Sequence, residues 1–165
     1  MCAKKVQMQN ENEAFARLQE LMDALPSMEK KGARLAKARA AREALAKVRY
    51  RDGQAAEAAR IRTRVEEAQC SLEAAKADAD ADDEVRVRGL VLALSNQLAI
   101  REGAAFDAAR QAESALAAGQ FATEADAWAA QLGDDEFAAL ESEVEEFKAE
   151  YAATLETCRA IYPED

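Results

Sequence analysis

Three cysteines, Cys2, Cys70 and Cys158, are the only thiols in the chain, and it contains no histidine to activate them. That absence removes the Ser-His-Asp and Cys-His arrangements of nucleophilic catalysis, and with them the usual catalytic zinc sites. The cysteines are odd in number, far apart and never in a CxxC pair. Such usage argues against a disulfide framework or a structural zinc site and for a reducing compartment. No Gly-rich phosphate loop of either common type is present. Carboxylates are plentiful, and Glu141, Glu143, Glu145 and Glu146 crowd together. Carboxylate metal sites on helical bundles combine glutamates with a Glu-x-x-His motif, which cannot exist here, so these glutamates read as a solvated helix face. The expectation is no enzyme, no metal and no cofactor.

The positive features are charge and aromatics. Lys30, Lys31, Arg34, Lys37, Arg39, Arg42, Lys47, Arg49 and Arg51 face only one acidic residue, Glu43, across the same stretch. Several stand at i, i+3 or i+4 spacings, so a helix gathers them into a band. Three uses compete. The band can set helix pairing and direction against the glutamate-rich C-terminal helix of the same chain or of a second copy. It can bind an acidic protein partner. It can contact nucleic-acid phosphates, although Tyr50 is its only interleaved aromatic. Charge distribution weighs on the last option: residues 1–80 hold 16 Lys and Arg against 13 Asp and Glu, while 81–165 hold 6 against 19. Phe121 and Trp128 lie in a short Ala-rich segment flanked by glycines. They are either an anchor for a partner's groove or a cap on one end of the fold.

Elements that position these groups follow from spacing. Composition is dominated by Ala, Glu, Arg and Leu, with two prolines, six glycines and few aromatics, the profile of long helices packed through small residues. Residues 1–10 show no periodicity and read as a disordered leader. The remaining 11–165 read as a single helical domain with a possible sub-boundary at 76–83. A short helix fits Asn12 to Leu25, and Pro26-Ser27 punctuate it. From Met28 to about Ala79 the pattern is helical. Ile61, Val65, Ala68, Leu72, Ala75 and Ala79 form a heptad seam, whereas Leu35, Ala38, Leu45 and Val48 carry a stripe of different phase. The change falls near Gly53, where the chain either runs through or turns; a continuous helix is favoured, since no second breaker accompanies the glycine.

The aspartate-rich stretch 76–83 marks a boundary, with Asp82 or Asp83 capping a helix from Glu84. That helix carries Val85, Val87, Leu90, Val91, Leu92, Leu94, Leu98 and Ile100, and its wide apolar surface predicts a central position. It extends to Leu116, with Gly119 as its stop. Thr123 caps a short helix to Leu132, and Asp134 caps the last, whose stripe runs Phe137, Leu140, Val144, Phe147, Tyr151, Leu155 and Cys158. Residues 51–60 and 101–110 share six of ten identities around Gly53 and Gly103. Neither copy has the aromatic positions or terminal proline of tetratricopeptide repeats.

The fold class expected is all-α, an elongated antiparallel coiled coil or helical bundle of about four or five helices, two or three of them long. The function expected is a non-enzymatic protein-protein interaction module: a scaffold, adaptor or chaperone-like coiled coil that self-associates. The nine cationic residues with Phe121 and Trp128 are its candidate partner-binding residues. A nucleic-acid-binding or DNA-mimicking regulator is the alternative, using the basic band or the acidic last helix. No run of apolar residues is long enough for a membrane span, and the first residues lack the apolar segment of a signal peptide, so a cytoplasmic location is expected.

Overall fold

The computed structural model describes residues 2–78 and 81–161, with side chains from residue 12 onward. Four helices account for nearly all of them: α1 (Cys2–Ala77), α2 (Ala81–Ala118), α3 (Glu124–Ala130) and α4 (Asp134–Ile161). Among the described residues there is no strand, and no helix is long and apolar enough to cross a membrane. The leader expected over 1–10 falls where side chains lie outside the described residues, although α1 is assigned from Cys2. The closing Tyr162-Pro163 lies outside them as well. The chain divides into two units, Met1–Arg39 with Ala130–Asp165, and Ala40–Ala129.

In the first unit, Leu35 and Ala38 of α1 pack with Leu132, Phe137, Leu140 and Val144, and Met28 sits at the edge of the cluster. The break expected at Pro26-Ser27 does not occur. Pro26 lies inside α1, although a proline costs a helix interior about 3 kcal/mol. Three observations explain why the helix survives. Pro26 and Met22, whose carbonyl the proline leaves without a donor, are both exposed. Leu21, Met28 and Leu35 keep one heptad face across it. Helix α4 grips both sides, through the Arg17–Glu150 ion pair before the proline and Leu35 after it.

In the second unit, Ile61, Val65 and Ala68 of α1 pack against Leu94 of α2, flanked by Val91 and Leu98. The helix runs through Gly53. The phase change seen in the sequence therefore lies within one unbroken helix, between the buried pair Leu45 and Val48 and the buried pair Ala58 and Ile61. Lys47 reaches Gln111, Arg62 reaches Glu102, and Ala68 packs with Leu94, so the partners run in opposite chain order. Gly53 and Gly103, the matched glycines of the internal echo, both sit mid-helix.

The central position expected for α2 is not what the structure has. Val87, Leu94, Ala108 and Ala112 are buried, but Val85, Leu92, Ile100 and Phe106 are exposed. One face is covered and the other is open.

The helix ends follow local chemistry. The first turn of α2 carries Asp82, Asp83 and Glu84, which suit the positive end of the helix dipole. At its other end, the Phe121 N–H donates to the Leu116 carbonyl (2.9 Å) and the Gln120 N–H to that of Ala117 (3.0 Å). This is a Schellman turn whose left-handed residue is Gln120, at φ 56°, rather than a glycine. Gly119 serves a different purpose, since a Cβ there would stand 2.5 Å from a ring carbon of the buried Phe121. Thr123 caps α3 as expected. Its Oγ1 accepts from the Asp126 N–H (3.2 Å), and the Asp126 carboxylate accepts from the Thr123 N–H (2.9 Å), a reciprocal capping box. Helix α3 stops at Ala130, short of Leu132. The first bond of α4 runs from the Phe137 N–H to the Gly133 carbonyl (2.8 Å), so Gly133 occupies the cap and Asp134 the first turn.

Candidate interaction surfaces

The basic band is distributed along α1, and its members meet different partners. In the first unit three of them face α4: Lys31 pairs with Glu143, Arg34 with Glu136 at 2.6 Å, and Arg39 with Glu141 at 2.5 Å. Arg17 extends this row to Glu150 at 2.6 Å. In the second unit Arg51 grips Glu124 at the start of α3 through both guanidinium nitrogens and also bonds Asp52. These carboxylates, Glu124 first, hold the Arg51 guanidinium further above its ordinary pKa. Lys47 donates to the Gln111 side chain. Arg49 lies 5.2 Å from the centre of the Trp128 ring, a cation–π geometry. Lys37 and Arg42 are not free either. Lys30 has no ion pair among the described residues.

These pairs place the glutamates of α4 in two groups. Glu136, Glu141, Glu143 and Glu150 face cations of α1, while Glu145 bonds Lys148 (3.0 Å) and Glu146 accepts from Ser142 (2.7 Å) within the helix. Exposed ion pairs are worth about 0–1 kcal/mol each, so the row contributes more to the direction and register of pairing than to stability. The two candidate aromatics separate. Phe121 is buried in the turn after α2, where it fills the space Gly119 leaves. Trp128 is 48% exposed and carries Arg49 on its face.

Reactive chemistry is sparse. Cys158 is buried on α4 and Cys70 is exposed on α1. Among the described residues no three acidic or thiol side chains gather as a metal would need. An open depression of about 400 Å³ between the end of α1 and the start of α2 is lined by Ser71, Asp78, Asp83, Arg86 and Leu90, among others. Its arginine is already bonded to Asp83.

The surface that the spacing alone does not reveal is the open side of α2. Val85, Leu92, Ile100 and Phe106 are 70%, 64%, 72% and 65% exposed. Their signal is present in the sequence as a second stripe, but together with the buried stripe it looks like one helix that is apolar all round. Isolated exposed apolar residues are ordinary; four large ones on one face of one helix are not. No protein-family model, curated protein or solved structure matches this chain.

Proposed function

We propose that the chain is a non-enzymatic interaction module that associates with its own copies and uses paired long helices as its scaffold. The observation that carries this reading is the outward face of α2, where Val85, Leu92, Ile100 and Phe106 leave apolar surface in water. Burying such surface contributes roughly 25 cal/mol per Å², and association is the direct way to do so. Support also comes from features of the helix pairing that suit a coiled coil: stripes at 3/4 spacing, partners in opposite chain order, and ion pairs along the flanks. In this reading the basic band is the registration device of α1. Sedimentation equilibrium on the full chain at micromolar concentration tests the proposal. A dimer or larger species is expected, and a monomer throughout would remove self-association.

A further inference from the structure

The outward face of α2 is a heptad seam of its own. From Val85 the positions Gly89, Leu92, Asn96, Ala99, Gly103, Phe106 and Arg110 follow at steps of 4, 3, 4, 3, 4, 3 and 4. All eight are exposed, and they extend along about 38 Å of helix. The seam on the buried side, through Val87, Leu94 and Leu98, is separate from it. One row of this outer seam is bulky or apolar (Val85, Leu92, Ala99, Phe106). The other is Gly89, Asn96, Gly103 and Arg110. The two glycines need an explanation. Neither has positive φ, and nothing lies within 4 Å of where a Cβ would stand. Nothing in the fold of one chain requires them, yet each costs a helix interior about 1 kcal/mol relative to alanine. Glycines that a helix face does not need for itself allow another backbone or a large side chain to come close.

We infer that this face packs against the same face of a second copy, antiparallel, about a two-fold axis. The inference rests on the self-association proposed above and names its surface and register. In an antiparallel seam each residue of one row meets a residue of the other row on the partner. The register that uses the whole stripe sets Phe106 over Gly89 of the second copy, Leu92 over Gly103, Asn96 beside Ala99 and the stem of Arg110 across Val85. Every large apolar knob of the stripe's interior then meets a glycine. On the flank, Ile100 meets Ala93 and Arg86 meets Asp107, twice over by symmetry. Arg86 is exposed, and among the described residues it bonds only Asp83, within its own turn, while Asp107 has no ion pair there. Within the stripe the parallel alternative is opposed by charge: Arg110 would face Arg110, and Glu102 would flank Asp107.

Sedimentation velocity on the full chain and its variants tests this. Leu92→Glu is expected to be monomeric with unchanged helical circular dichroism, because the side chain is exposed. Gly103→Leu separates folding from association: it replaces a helix-weakening glycine where there is open space in the single chain, so at concentrations where both proteins are monomeric its helix melts higher than wild type, while at higher concentration its dimer is lost. Arg86→Asp and Asp107→Arg each set like charges together, and each is expected to weaken the dimer about tenfold at low salt. An equimolar mixture of these two variants restores the affinity, because their heterodimer pairs opposite charges at both flanks. If Leu92→Glu keeps the wild-type oligomer, this surface is wrong while self-association stands. If the single charge variants weaken but their mixture does not recover, the antiparallel register is wrong. A monomeric wild type at all concentrations overturns both.

Discussion

At the residue scale, the turn after α2 shows how two adjacent residues take separate roles. Gln120 takes the left-handed conformation that glycine would adopt without strain, while the glycine beside it makes room for a ring. The expected consequences have opposite signs. Gly119→Ala drives a methyl into the Phe121 ring and should cost about 1–3 kcal/mol. Gln120→Gly should leave stability unchanged or raise it by up to about 1 kcal/mol, since relief of left-handed strain offsets the extra freedom of the unfolded chain. Chemical denaturation of the two variants in parallel checks this, and a loss in both would show that the turn is not held as described. A helix stop is legible here from the sequence. Which of two neighbours carries the unusual backbone angle is not, because that depends on where Phe121 lies in three dimensions.

At the element scale, α1 passes through both of its sequence-level breakers. Proline at an exposed position of a helix gripped on both sides is tolerated, not neutral. Pro26→Ala loses no buried contact and restores a donor, so it should raise stability by up to about 3 kcal/mol, seen as a higher midpoint in thermal unfolding. No gain would mean that the helix frays at this point. The contrast between Pro26 and Gly53 shows what was legible. Helical spacing and the Thr123 cap could be read because local propensity and periodicity decide them, whereas α2 begins at Ala81, ahead of the expected cap at Asp82 or Asp83, which lie in its first turn. The continuity across Pro26 could not, because it depends on Glu150 and the α4 core, more than ninety residues away in sequence. The outer seam of α2 was visible as residues but not as a surface. Two apolar stripes on one helix look alike until one of them acquires a partner.

At the scale of the whole molecule, the sequence concentrates positive charge in its first half and negative charge in its second, with a net of −10. Lys31, Arg34, Arg39 and Arg51 are ion-paired with acidic residues of α3 and α4. A phosphate backbone would have to compete with those carboxylates and with the net charge. In a gel shift with duplex and single-stranded DNA, no complex is expected even at low salt. A complex that dissociates steeply as salt rises would favour the nucleic-acid reading of the band instead.

The described core is unusual in what fills it. Ala38, Ala41 and Ala44 are fully covered, and Ala58, Ala68, Ala75, Ala108, Ala112 and Ala127 are buried as well. Ordinary cores fail when a side chain is truncated and a cavity opens, as Leu45→Ala would here. An alanine wall has almost nothing left to truncate. At these positions the vulnerability is to enlargement, because a larger side chain overpacks a site with no room for it. A random mutational screen of this chain should therefore find damaging enlargements at its buried alanines as well as damaging truncations at Leu35, Leu45 and Phe137.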